Sequence, residues 1–390
     1  MRCAAWVVRK MEVFMQILEN RQKAFLLLAD GAVFEGLSVG AQGTSVGEVV
    51  FTTNMTGYQE TLTDPSYYGQ IVTQTFPLIG NYGVNDFDGE SDKSYVKGYI
   101  VREWCEAPSN FRCEHDLDWF LKEQGIVGIF GIDTRALTRK IREHGVMNGM
   151  VTTEDVFADL QENLAKLKSY TIKDAIRSVS IPQAKRYECE QPLYEVALMD
   201  YGYKRNIRRA LLERGCNVTV LPCTTSASEI LSGGFDGVML SNGPGDPSED
   251  AEIITNLREI AQLSLPIFGI CLGHQLMALS QGAKTAKLKY GHRGGNHPVV
   301  DLTTQRTYVT SQNHGFEVLG ETLPKQAGRV SHINANDKSC EGIAYHAGNI
   351  FTVQFHPEAC SGPQDTGYLF DRFIELMKSK KEANAHAAAQ

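Results

Sequence analysis

Residues 266–270 are wholly apolar and run straight into Gly269-Ile270-Cys271-Leu272-Gly273-His274-Gln275. A strand with no polar face must be covered on both sides, which is the environment of a parallel sheet flanked by helices. The glycines on either side of Cys271 permit a sharp strand-to-helix turn, the form of a nucleophile elbow with Cys in the place of Ser. Its surroundings agree. Residues 196–199, 218–221 and 238–240 are further apolar runs, separated by helix-like stretches at 204–214 (ending at Gly215) and within 249–263. This alternation from Tyr194 onward predicts a C-terminal doubly wound, mostly parallel α/β sheet. Chemistry in such sheets gathers at the carboxyl ends of the strands.

The first half reads differently. Short β-like runs at 24–28, 49–53, 71–75 and 99–102 are bounded by turns such as Asp30-Gly31 and Asp64-Pro65, with a helix-like stretch at 117–124. These predict an N-terminal strand-rich mixed α/β domain. A helical stretch at 154–168 follows, and 178–192, with two prolines and no periodicity, reads as a linker. The 390 residues are comfortable for two domains. We divide them into an extension at 1–23, a first domain at 24–155, a helical segment and linker at 156–193, a second domain at 194–380 and a frayed tail at 381–390. The extension mixes apolar residues with Arg2, Arg9, Lys10 and Arg21, interrupted by Glu12 and Glu19. It lacks the clean apolar segment and cleavage site of a signal peptide and reads as lying outside the folded unit, with Met11 and Met15 as alternative starts.

Composition removes several function classes. Lys+Arg is 38 against Asp+Glu 46, a formal charge of −8 without a basic patch, so nucleic acid is not an expected partner. No apolar run is long enough to span a bilayer, so neither is a membrane. The nine cysteines are odd in number, scattered and free of any C-x-x-C pair. That pattern predicts neither disulfides nor a metal site, and a reducing, cytoplasmic location.

Three segments at strand ends carry candidate chemistry. At the elbow, Cys271 would sit at the amino end of a helix at 274–280, whose dipole favours thiolate. The Leu272 N–H is then placed to donate to a developing oxyanion. A lone Cys is more often an inert buried thiol, but the paired glycines reverse that order. The second segment, 350–358, reads as a strand ending in His356-Pro357-Glu358. Residues i and i+2 of an extended chain share a face, so Glu358 can fix the imidazole tautomer while the other ring nitrogen acts on a thiol. The third, Ser241-Asn242-Gly243-Pro244-Gly245-Asp246-Pro247, is a rigid loop with exposed amides, suited to supplying a second oxyanion donor. Read alone it is only a turn-rich loop.

Together these segments, in this order, resemble the class I, triad-type glutamine amidotransferase domain, from about Tyr194 to Lys378. The resemblance implies that Cys271 attacks the carboxamide of L-glutamine, His356 shuttles the proton and Glu358 supports it. It implies an oxyanion hole from the Gly243 and Leu272 amides. By the same carry-over Gly245, Gln275 and a loop containing Asn313, Gly315 and Phe316 would bind glutamine. His314, in that loop, would not be the base.

The first half narrows the family. Residues 47–60 (GEVVFTTNMTGYQE), Leu62-Thr63-Asp64-Pro65-Ser66-Tyr67 and 131–139 (GIDTRALTR) closely resemble the small subunits of carbamoyl-phosphate synthetases. That resemblance covers about residues 24–378 and implies that Ser66 reaches the glutamine carboxylate from the first domain. On residue type alone, Ser66 is a turn hydroxyl and Asp133 a helix N-cap. No G-x-x-x-x-G-K-[ST] loop is present, so this chain is expected to hold no cofactor. ATP and Mg would be used by a large-subunit partner in a heterodimer that can assemble further, with ammonia passing to it internally. Its product would feed arginine or pyrimidine synthesis. The rival readings are an amidotransferase for another synthase, a stand-alone γ-glutamyl hydrolase, and a non-enzymatic scaffold. The first domain speaks against the first two, and the intact triad against the third.

Overall fold

Short strands close on themselves in the first part of the chain. The computed structural model describes residues 21–388 and divides into two compact units. One comprises residues up to Thr52 with Gly69–Phe87 and Val96–Thr171; the other comprises Thr53–Tyr68, Asp88–Tyr95 and the chain from Ile172. The first unit contains β1 (Lys23–Leu28), β2 (Val33–Gly40), β3 (Thr44–Thr52), β4 (Gln70–Gln74), β5 (Leu78–Ile79), β6 (Gly98–Ile100), β7 (Glu103–Trp104), β8 (Val127–Phe130) and β9 (Met147–Thr152). Seven of these form a closed barrel in the order β1-β2-β8-β6-β4-β3-β9, while β5 and β7 make a separate ribbon. Antiparallel pairing of β9 with both β1 and β3 closes the barrel and removes its edges.

The expected 1–23 extension ends too late. Lys23 pairs with Leu37 in β1–β2, and the Gln22 side chain donates to the Thr153 carbonyl at 2.8 Å. The Arg21 guanidinium lies 3.6 Å from Asp118 and 4.2 Å from the centre of the Trp104 ring. Residues 1–20 of that expected extension lie outside the described residues. The contribution of residues 21–23 is isolated by comparing a chain cut after Asn20 with one cut after Lys23. Cutting after Lys23 should cost on the order of 1–3 kcal/mol, for the lost side-chain and ladder hydrogen bonds. Urea denaturation of the two truncations checks this; equal midpoints would refute it.

The second unit carries one ten-stranded sheet. Its strands are β10 (Lys185–Tyr187), β11 (Tyr194–Asp200), β12 (Cys216–Pro222), β13 (Gly237–Leu240), β14 (Ile267–Ile270), β15 (Lys284–Asp301), β16 (Thr307–Leu319), β17 (Gly328–Asn334), β18 (Cys340–Tyr345) and β19 (Ile350–Val353). They run in the order β10-β12-β11-β13-β14-β19-β18-β16-β15-β17. The five from β12 to β19 are parallel. Successive residues of β11 enter opposite cores, Val196 and Leu198 one way, Ala197 and Met199 the other. Ile253, Leu257 and Leu276, from helices Ala251–Ile260 and Leu272–Ser280, cover one face. Ile207, Leu211, Phe370 and Phe373, from helices Arg205–Leu212 and Tyr368–Ala388, cover the other. The sheet is doubly wound, as the apolar runs imply, with an added antiparallel half, β15–β18.

Three expected boundaries shift. The supposed linker, 178–192, opens on the last residues of a helix, Ala175–Val179, and holds the edge strand β10, antiparallel to β12. The tail expected to fray from 381 continues the helix to Ala388. Residues 53–68, placed in the first domain by linear order, cluster with the second unit, and the chain rejoins that unit at Ile172, well before Tyr194.

Candidate active site

The apolar strand β14 ends at Ile270, and Cys271 follows as the N-cap of helix Leu272–Ser280 with φ 53° and ψ −103°. L side chains rarely adopt this backbone, and its strain is held by the elements on either side. The Cys271 N–H donates to the Val353 carbonyl at 2.8 Å, and its own carbonyl accepts from Gln275 N–H at 3.1 Å. At Gly273 a Cβ would stand 2.6 Å from the Leu240 carbonyl oxygen, so only glycine lets the helix start so close to β13. The thiol is buried and donates to the Asn313 carbonyl, Sγ to O 3.7 Å. Burial raises its pKa, Asp64 adds to that, and Lys204 and the Leu272 N–H pull the other way. Burial outweighs the favourable helix end expected from sequence. The resting group is a thiol that needs a base.

A candidate base stands on the neighbouring strand end. Ile270 of β14 is in register with Val353 of β19, and His356 comes three residues later. His356 Nδ1 is 2.7 Å from Glu358 Oε1, and its buried Nε2 has no hydrogen-bond partner among the described residues. The pair does not meet by strand alternation, as the sequence reading expects. β19 ends at Val353, and the Ala359 N–H closes a turn onto the His356 carbonyl at 3.3 Å. Pro357 occupies the second position of that turn, where its fixed φ fits. Turn geometry, not extension, brings imidazole and carboxylate together.

Sequence reasoning missed Lys204. Its Nζ lies 2.7 Å from Glu358 Oε1, and both side chains are buried. Burial pushes Glu358 up, but Lys204 and then His356 outweigh it and hold the carboxyl at about 2. Lys204 in turn is lowered by burial and raised further by Glu358, Asp64 and Glu90, so it stays charged. The only signal in the sequence is a lysine just beyond the carboxyl end of a buried strand, β11.

Ser66 and Asn313 come together in the same unit. The Ser66 Oγ accepts from Asn242 Nδ2 at 2.9 Å, its N–H donates to Asp64 Oδ1 at 2.9 Å, and Asp64 Oδ2 accepts from Asn313 Nδ2 at 3.0 Å. Asn242 Oδ1 also accepts the Lys204 N–H at 3.1 Å. Asp64 and Asn242, neither singled out from sequence, thus position the two expected substrate contacts. Asn313, Gly315 and Phe316 lie in β16, not in a loop. Gln275 Nε2 donates to the Phe316 carbonyl at 2.8 Å and to Gln354 Oε1 at 2.9 Å, tying the elbow helix to that strand. His314 Nδ1 is held 2.7 Å from the same Phe316 carbonyl. Burial and the nearby His292 lower its pKa, and among the described residues no hydrogen bond joins it to Cys271, His356 or Glu358.

The Gly243 amide N–H has no partner among the described residues. A Cβ there would stand 2.0 Å from the Tyr201 carbonyl oxygen and 2.7 Å from Leu272 Cδ2. Gly245 is further out, with φ +94° and Ala175 against it. Gly243→Ala must displace either its own amide or Leu272. It is expected to lower kcat/KM for glutamine hydrolysis by on the order of a hundredfold, with the fold retained by circular dichroism. Activity within twofold of wild type would remove Gly243 from the site.

With this geometry in place, the likeness to known proteins is specific. Residues 26–151 match the family model for the carbamoyl-phosphate synthase small chain, CPSase domain, and 197–376 that for class-I glutamine amidotransferase. The carbamoyl phosphate synthase small chain of Listeria monocytogenes serotype 4b is 51% identical over 366 residues, spanning 94% of this chain and 99% of its own. That of Clostridium perfringens is 50% identical over 353 residues, spanning 90% and 99%. That of Fusobacterium nucleatum is 51% identical over 359 residues, spanning 91% and 98%.

Proposed function

The chain belongs to the carbamoyl phosphate synthase small-chain family and is a glutamine-hydrolysing amidotransferase subunit; from that premise we propose that Cys271, His356 and Glu358 hydrolyse glutamine through a thioester. His356 Nε2 takes the Cys271 proton as sulfur attacks the carboxamide carbon. The Leu272 and Gly243 N–H groups receive the developing oxyanion. Collapse breaks the C–N bond, His356 returns the proton to nitrogen, and ammonia leaves a γ-glutamyl thioester. Water, deprotonated by the same imidazole, releases glutamate. Ser66, Gln275, Asn313, Gly315, Phe316 and Gly245 hold the amino-acid end of the substrate. Ammonia passes to a separate large subunit that uses ATP and Mg to make carbamoyl phosphate from bicarbonate, in a cytoplasmic heterodimer. The product supplies arginine or pyrimidine synthesis. No helix among the described residues is long and apolar enough to cross a membrane.

The observation that carries this reading is the imidazole held by Glu358 at Nδ1 with Nε2 unpartnered. That is the tautomer a general base needs. Acid quench of the complex during turnover, followed by peptide mass spectrometry, should place one γ-glutamyl group on Cys271. An adduct on another residue, or none during steady turnover, would overturn the thioester route.

A further inference from the structure

Three buried donors that glutamine hydrolysis does not use converge on one point of the antiparallel half-sheet. His292 on β15 and His314 on β16 are cross-strand partners, their rings 5.0 Å apart and nearly perpendicular. Glu341 lies on β18. One ligand atom from each lies within 4.8 Å of the other two.

The hydrogen bonds around them leave lone pairs facing one another. His314 Nδ1 donates to the Phe316 carbonyl at 2.7 Å, which leaves Nε2 unprotonated and without a partner among the described residues. His292 Nε2 lies 2.7 Å from Asp337 Oδ2, and its Nδ1, without a hydrogen-bond partner among the described residues, stands 3.8 Å from Glu341 Oε1. The carboxylate is oriented as well, Oε2 by Gln312 Nε2 at 2.8 Å and Oε1 by Asn334 Nδ2 at 3.0 Å. Imidazole that donates its far N–H to a carbonyl or carboxylate, beside a hydrogen-bonded carboxylate, is the arrangement of metal ligands and their supporting partners.

We propose that His292 Nδ1, His314 Nε2 and Glu341 bind a divalent transition metal of the zinc class. Two imidazole nitrogens and one carboxylate favour Zn²⁺ over Mg²⁺ or Ca²⁺, which prefer all-oxygen shells. Tetrahedral ligands at about 2.0–2.1 Å stand about 3.3 Å from one another, so closure from the present spacing needs side-chain movements of about 1 Å. The Glu341 carboxylate is wholly buried and held by two neutral amide donors, and a cation would supply an opposite charge. The nearby Arg293 acts against a cation; its Nη1 donates to the Tyr290 carbonyl at 2.7 Å. Asp337, behind His292, partly offsets it. The cysteine pattern, on which the sequence reading expects no metal, is silent here, because these ligands come from three separate strands.

His314 lies between Asn313 and Gly315-Phe316. On the function proposed above, metal at His314 would steady the strand that grips glutamine and lower its KM more than it changes kcat. The test uses the full chain in complex with its large subunit, stripped with EDTA and dialysed. Zn²⁺ titrated by calorimetry should bind at one equivalent per small chain. Affinity should fall at least about tenfold in both His292→Ala and Glu341→Gln, each checked for native circular dichroism. Co²⁺ should give visible d–d bands without sulfur-to-cobalt charge transfer, unchanged by Cys271→Ser. No saturable binding to wild type, wild-type affinity retained in both variants, or a thiolate spectrum lost with Cys271→Ser would each overturn the site. Binding as described with an unchanged glutamine KM would leave the site standing and refute its coupling to substrate.

Discussion

Replacing Cys271 with Ser is expected to lower glutamine-dependent carbamoyl phosphate synthesis by the reconstituted complex on the order of 10³-fold or more, and to leave ammonia-dependent synthesis intact. Serine is slightly smaller than cysteine and can keep the same N-cap backbone at φ 53°, so the fold should survive. Its hydroxyl is far harder to ionise than a thiol, and the burial that raises the Cys271 thiol penalises an alkoxide more. The imidazole cannot make up that difference. On the division of labour proposed above, ammonia supplied from solution bypasses the elbow, because the step that consumes it lies on the large subunit. Assaying one preparation with each nitrogen source separates the two steps. Loss of both activities in an intact assembly would show that this chain does more than supply ammonia.

The elbow was legible because its causes are local. A strand without a polar face, two glycines and a cysteine between them leave few other conformations. The His356–Glu358 pair was legible as a pair, but not its geometry. The apolar run before it suggested extension, whereas β19 stops at Val353 and the chain turns at Pro357. Lys204 was not legible, since its role depends on the end of β11 meeting a turn more than a hundred residues later. Ser66 and Asp64 were given to the first domain by linear order; packing puts 53–68 with the second unit, a long-range fact that no local pattern encodes. The same limit hid the barrel, which closes only when β9 finds β1. β15 and β16 escaped notice because Gly291, Gly294, Gly295 and Pro298 interrupt the alternation. The ladder has register shifts between Lys287 and His292 and between Gly294 and His297.

Variants of the His356–Glu358–Lys204 chain are expected to rank by what each group does. His356→Asn removes the proposed proton carrier and should lower kcat/KM by roughly 10³–10⁴. Glu358→Gln keeps the base but loses its anchor, and should cost roughly ten times less. Lys204→Met should act chiefly on stability and on the acid limb of the rate profile. Breaking a buried ion pair typically costs about 3–5 kcal/mol, because the remaining charge is stranded. Here Lys204 also faces Asp64 and Glu90, both carboxylates that raise it. Glu358 is held at about 2, below an unfolded value of about 4.3. Its pairing therefore stabilises the fold above pH ~4.3 and loses that contribution as pH falls through about 2. Without Lys204 the Glu358 value should rise, so acid unfolding should begin at higher pH and activity should fall off sooner on the acid side. The double variant Lys204→Met/Glu358→Gln should regain part of the lost stability, since no charge is then stranded between those two positions, while its rate stays near that of Glu358→Gln. Urea midpoints at pH 5 and 8 for the four proteins of the cycle measure the coupling. A Lys204→Met protein as stable as wild type at both pH values, with an unshifted acid limb, would mean that His356 alone holds Glu358 ionised.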